Sequence, residues 1–342
     1  MIVSNPVNIK YLTGIDAEGT LLITRKENVF ITDGRYIESV NRVLTIDDGI
    51  IVYDIRSIRE EDFENFFLFC SAVGFEENYV TYAKYKEYIY KYKIENMQET
   101  ENLIEQQRTI KDEEEIGKIR QACKITDDCF KHLTEFIKIG MTEKEVAAEI
   151  EYFFKTHGAE EVSFPPIVAS GANSSMPHAI PTNKKIETGD TIIIDMGCKY
   201  EGYCSDMTRT IFMDYVPEEA KTVYDLVLNN QLSTLKEYVD GGNTKIISKL
   251  VENNFEFNRY MLIHALGHGV GLDIHETPVI SSRTAQTLKE NMVITDEPGI
   301  YLPGKFGVRI EDTVLITKNG AVTLTNSEKN YVILKSTAQK SK

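Results

Sequence analysis

Residues 191–196 read Thr-Ile-Ile-Ile-Asp-Met, and the carboxylate at the end of that isoleucine run limits the fold more than any other feature. A run so rich in β-branched residues reads as a strand. Asp195 therefore sits where a charge is desolvated and costly unless a cation or a donor compensates it. Eleven residues on, Asp206 opens the strand-like run TRTIFM at 208–213, after a loop containing Gly197 and Gly202. Two strands joined in this way let the carboxylates face each other across a hairpin-like pair. Taken singly, each aspartate also fits an ordinary capping or hydrogen-bonded role.

The segment HALGHGVGLDIHE places His264, His268 and His275 within twelve positions, among Gly267, Gly269 and Gly271, which allow close backbone approach. A lone histidine on an apolar face is usually a hydrogen-bonded core residue. Three of the chain's six histidines in one glycine-rich stretch point to a nitrogen ligand or a proton shuttle. Glu297 ends the strand-like NMVITDE, and Pro298 and Gly299 force a turn after it. Arg309 and Glu311 lie two apart in VRIEDTVLIT, read as one strand over 308–317, so they share a face. Alone they would pass for a surface ion pair. Together Asp195, Asp206, Glu297 and Glu311 carry four negative charges, which two divalent cations neutralise. Oxygen-rich ligands with one imidazole suit manganese, cobalt, iron or zinc better than a thiolate site does. Two such ions can share a water, lower its pKa and polarise a peptide carbonyl.

Around this constellation the chain divides near residues 97–113, a polar stretch read as a linker, giving domains over 1–108 and 109–342. In the first, TLLIT at 20–24 and NVFIT at 28–32 flank a polar turn, helical signals recur at 61–70 and 82–95, and a small α/β unit results. In the second, Ile116, Ile119, Cys123, Phe130, Leu133 and Ile137 form one buried helical stripe. Thr142 and Glu145 form a capping box for another helix, and a third runs from about Pro217 to Val239. With its strand-like runs this second domain is α+β.

With 38 Lys and Arg against 53 Asp and Glu, the formal net charge of -15 opposes binding to nucleic acid or anionic lipid. No apolar run is long enough to span a bilayer and no signal-peptide pattern opens the chain, so a cytoplasmic protein is expected. Its five cysteines are odd in number and contain no C-x-x-C pair, as suits reduced, mostly buried thiols. Cys123 and Cys129 fall on a helix's apolar face, and Cys198 and Cys204 are read as packing residues.

IIIDMG, CSDMTRT, GHGVG, DEPGIY and RIED resemble the motifs of the peptidase family that includes prolidase, aminopeptidase P, methionine aminopeptidase and creatinase. That resemblance implies a pita-bread catalytic domain, helices outside a curved antiparallel sheet with pseudo-twofold symmetry, and two divalent metal ions, manganese first. It implies Asp195, Asp206, His268, Glu297 and Glu311 as ligands, with Asp206 and Glu311 bridging. By the same resemblance His178 and His275 contact substrate or move protons, His264 lines the substrate side, Glu297 also serves as general base, and Arg309 orients ligand carboxylates. The opening NIKYLTGIDAEGTLLITRKENVFITDGRYIE resembles the smaller domain of the prolidase and aminopeptidase P branch, which methionine aminopeptidases lack.

The substrate implied is a peptide with proline in second position, and relatives in the family are often homodimers. Some prolidases carry an arginine four residues after the histidine matched by His275. Val279 stands there, and Arg283 is the nearest arginine that follows. The expectation is accordingly an Xaa-Pro aminopeptidase, with an Xaa-Pro dipeptidase as the alternative. A binding module that has lost its metals is the non-enzymatic alternative, opposed by the intact ligand set.

Overall fold

Strands Thr20–Ile23 and Asn28–Thr32 pair antiparallel, Thr20 opposite Ile31 and Ile23 opposite Asn28, in a computed structural model that describes residues 1–336. The backbone forms two compact units, Met1–Arg108 and a second beginning at Thr109. In the first, these strands sit in a six-stranded mixed sheet that runs Ile50–Asp54, Asn28–Thr32, Thr20–Ile23, Ile2–Val3, Val73–Phe75, Met97–Glu99. The helix expected near 61–70 is a 3-10 stretch, Glu60–Phe67. Its buried Phe63 and Phe67 pack edge-on against Tyr92 of helix Tyr82–Tyr92.

The presumed linker is structured. Residues Met97–Glu99 form a strand and Leu103–Arg108 a helix anchored by buried Ile104. With one buried aliphatic residue in so polar a stretch, periodicity carries no signal.

In the second unit, helix Glu113–Phe136 starts at a capping box of Asp112 and Glu115, and helix Glu143–Thr156 at one of Thr142 and Glu145. Both pack on a four-stranded sheet, ordered Val332–Leu334, Met207–Met213, Thr191–Met196, Ile167–Ser170. Every residue of its two central strands is buried, since helices cover one face and the polar site fills the other.

A second pair of helices, Glu218–Thr234 and Thr244–Phe257, packs against a five-stranded antiparallel sheet ordered Glu276–Ile280, Gly267–Gly269, Val293–Asp296, Asp312–Thr317, Gly320–Thr323. Sequence reading missed Thr244–Phe257, although Ile247, Val251 and Phe255 make a buried stripe at four-residue spacing. The single strand expected over 308–317 is two strands, Phe306–Arg309 and Asp312–Thr317, broken at Ile310 and Glu311. The break frees Glu311 to turn inward. Its N–H bonds to Thr208 O at 3.1 Å, and Arg309 N bonds to Thr210 Oγ1 at 3.1 Å. These bonds fasten the segment from Arg309 to Glu311, which follows a two-stranded pairing of Gly299–Leu302 with Phe306–Arg309, to the four-stranded sheet where the acidic residues gather.

Among the described residues no helix is long and apolar enough to cross a membrane.

Candidate metal centre

The antiparallel pairing of Thr191–Met196 with Met207–Met213 sets Asp195 opposite Thr208, so Asp206 lies one residue beyond the ladder and close to it. Asp206 is held at its backbone, its N–H bonding to Thr313 Oγ1 at 3.2 Å and its carbonyl accepting from that hydroxyl at 2.7 Å. His268 comes from the five-stranded sheet, in a strand whose Gly267 would place a Cβ 2.1 Å from Thr295 O. Only glycine permits that approach. Ligand atoms of Asp206, His268 and Glu311 all lie within 4.8 Å of one another. His268 Nε2 is 3.5 Å from Asp206 Oδ2 and 3.4 Å from Glu297 Oε1.

Each donor is aimed by a neighbour. His268 Nδ1 donates to Gly269 O at 3.0 Å, which leaves the Nε2 lone pair facing the carboxylates. Thr208 Oγ1 donates to Glu311 Oε2 at 2.6 Å and accepts from Arg309 Nε at 3.0 Å. Thr295 Oγ1 donates to Glu297 Oε1 at 3.2 Å. Arg309 Nη2 donates to Asp195 Oδ2 at 2.6 Å, while Nη1 reaches Tyr301 Oη at 2.7 Å. Tyr301 Oη in turn lies 3.0 Å from His264 Nε2.

The electrostatics are severe. Burial, then the charges of Glu311, Asp195 and Glu297, push the Asp206 carboxyl well above its usual range. Burial and the charges of Glu297 and Asp195 do the same to Glu311, and burial raises Glu297. Desolvation lowers the pKa of His264, His268 and His275, favouring neutral imidazoles. Among the described residues Arg309 is the one arginine or lysine bonded to a carboxylate of this group, and Asp195 Oδ1 is buried there with no hydrogen-bond partner. An orphaned carboxylate oxygen, three mutually destabilised acids and a free imidazole lone pair fit divalent cations, whose charge would remove the cost of gathering four carboxylates, three of them buried.

The other histidines border this cluster. The rings of His275 and His268 meet edge-on, centroids 4.3 Å apart. His178 is exposed but within electrostatic reach of His264 and His275. Cys123, Cys129, Cys198 and Cys204 are buried, and Cys70 is partly buried. Sequence reading did not anticipate Tyr301, Thr208 or Thr295. For Thr208 a signal existed, because alternation puts it on the inner face of TRTIFM.

Residues 117–318 match metallopeptidase family M24, and residues 1–110 match the creatinase/prolidase N-terminal domain. The chain belongs to metallopeptidase family M24. It is similar to an Xaa-Pro dipeptidase of Pyrococcus horikoshii, at 36% identity over 97% of this chain and 93% of that protein. Among solved structures, an Xaa-Pro dipeptidase from Bacillus anthracis matches with TM-score 0.91 and 34% identity, covering 97% of this chain and 94% of the other. An X-Pro aminopeptidase from Thermotoga maritima matches with TM-score 0.89 and 33% identity, covering 97% of each chain. The fold is therefore that of the pita-bread peptidases with a smaller N-terminal domain. As an M24 member the chain is a metallo-exopeptidase that uses divalent metal ions.

Proposed function

We propose that this M24 peptidase is an Xaa-Pro dipeptidase whose two divalent cations are held by Asp195, Asp206, His268, Glu297 and Glu311. The observation that carries the reading is the gathering of buried carboxylates about the free Nε2 of His268, in a chain that shares its fold and over a third of its sequence with proteins named Xaa-Pro dipeptidases. The aminopeptidase expected from Val279 has weaker support, because most named relatives are dipeptidases. It stays as the second reading, favoured by the Thermotoga neighbour. Val279 leaves its position without a cation, so another group must meet the free carboxylate of a dipeptide.

When bound, the cations activate water and polarise the scissile carbonyl. Glu297 takes the proton of the attacking water on a carboxylate oxygen. His275 donates to the carbonyl oxygen as negative charge develops there. His178 relays the proton taken up by Glu297 to the proline nitrogen, which leaves as a secondary amine, so that both residues return to their starting states. That nitrogen carries no N–H in the substrate, so ordinary strand-like recognition fails and a dedicated site is required. His264, held by Tyr301, lines the substrate side, and Arg309 fixes Asp195. Manganese is the cation in this reading, ahead of cobalt, iron or zinc. The enzyme works as a cytoplasmic homodimer, in keeping with its unpaired thiols.

A comparison of a Gly-Pro dipeptide with an X-Pro-Y-Z tetrapeptide under manganese and cobalt tests this. Preferential cleavage of the dipeptide supports the proposal. Cleavage confined to the tetrapeptide moves the assignment to the aminopeptidase, and cleavage of neither removes both.

A further inference from the structure

His178 poses a problem of placement. Its side chain is exposed and makes no hydrogen bond among the described residues, so the place from which the imidazole reaches is set by the backbone of its segment. That segment leaves strand Ile167–Ser170, passes through a 3-10 turn at Gly171–Ser175 and returns at Thr182. Both of its ends converge on one buried carboxylate.

Glu143 is the first residue of helix Glu143–Thr156 and is 0% exposed. Its Oε1 accepts from Ser170 N at 2.7 Å and from Ser170 Oγ at 2.9 Å. Its Oε2 accepts from Thr182 N at 2.9 Å and from Thr182 Oγ1 at 2.7 Å. Asn173 Nδ2 donates to both oxygens, at 3.2 and 3.1 Å. Most helix-start acids sit in water at little cost. This carboxylate is fully buried, and among the described residues the hydrogen bonds it accepts all come from one thirteen-residue segment, 170–182, while its backbone N–H bonds to Lys184 O. Two further ties come from the strand that carries Arg309. Gly307 N donates to Ser174 Oγ at 2.9 Å, and Arg309 Nη1 donates to Pro177 O, one residue from His178, at 3.2 Å.

We propose that Glu143 is a positioning residue for His178, clamping both ends of segment 170–182 so that the imidazole stays registered against the Arg309–Asp195 pair. The inference rests on the proposed role of His178 and adds the source of its placement. A carboxylate suits the task because it accepts on both oxygens at once. A glutamine would keep the shape but turn a donor toward Thr182 or Ser170, undoing one half of the clamp.

A double-mutant cycle with Glu143→Gln and His178→Ala tests the proposal. Glu143→Gln should lower kcat on a Gly-Pro dipeptide by roughly 10²-fold, the scale of an ångström-level misplacement, with bound metal and KM little changed. Added to His178→Ala it should cost almost nothing more, and Glu143→Asp should recover part of the loss. Amide hydrogen exchange across 171–182 should accelerate in Glu143→Gln while helix Glu113–Phe136 stays protected, a readout that needs no substrate. Additive losses in the cycle, or unchanged exchange in the segment, would overturn the inference. If the wild-type enzyme cleaves no proline peptide, the function proposed above fails while the exchange arm still decides the clamp. If Glu143→Gln does not fold, the same cycle and exchange comparison are read on Glu143→Asp.

Discussion

Arg309 Nη2 sits 2.6 Å from Asp195 Oδ2, and the other oxygen of that carboxylate is buried without a hydrogen-bond partner among the described residues. One guanidinium thus satisfies one oxygen of a buried acid and leaves the other to be met by a bound cation, as the proposed ligand role of Asp195 requires. Arg309→Lys keeps a positive charge but loses the fork that reaches Asp195, Tyr301 and Thr208 together. Metal affinity should fall about 10- to 100-fold, the usual effect of losing a group that orients a ligand. Calorimetric metal titration of the variant checks this. Unchanged affinity would assign Arg309 to packing alone.

Removing the cations should make stability depend on pH with a defined sign. Burial and mutual repulsion raise the Asp206 and Glu311 carboxyls above their ordinary range, so the folded metal-free chain holds protons that the unfolded chain releases. Its stability then falls as pH rises from the ordinary carboxylate range through the raised values. Metal binding displaces those protons, so the gain in Tm on adding manganese should grow over the same window. Thermal melts of chelated and loaded protein between about pH 5 and pH 8 check the sign. A gain that shrinks as pH rises would contradict it.

Histidines that hold metal and histidines that move protons should separate. His268→Ala should lose bound metal and activity together. His178→Ala and His275→Ala should keep the metal and lose roughly 10²- to 10⁴-fold in kcat. Metal content and turnover measured on the same preparations distinguish the classes. Full metal loss in His178→Ala would place that residue among the ligands.

Close backbone approach should be as sensitive as the chemistry. A Cβ at Gly197 would lie 1.9 Å from Ser205 O, backbone that belongs to the loop between Asp195 and Asp206. Gly197→Ala should destabilise the protein by at least about 1–3 kcal/mol through overpacking. Equilibrium denaturation measures it, and a neutral change would mean that the loop relaxes freely.

Much of this was legible in the residues because the cost of burying charge is visible in sequence. An aspartate after three isoleucines and three histidines among glycines stood out in combination, although each aspartate alone also fitted a capping role, and the Thr142–Glu145 capping box announced its helix. What escaped notice depends on tertiary contact. Glu311 interrupts a run that reads as one strand, because its inward turn is stabilised by Thr208 and Arg209 of the four-stranded sheet. Tyr301 looks like any strand tyrosine until Arg309 and His264 bracket its hydroxyl. Glu143 looks like a first-turn helix acid until Ser170 and Thr182 close over it.

In the proposed enzyme, four carboxylates and His268 bind two cations that perform the hydrolysis. The most direct test is metal content by plasma mass spectrometry of chelated protein reloaded with manganese, read beside Gly-Pro cleavage. Two ions per chain with activity restored on loading, and both lost in Asp206→Ala and Glu311→Ala, is the predicted result. Full cleavage by protein that holds no metal, or by either variant, would contradict it.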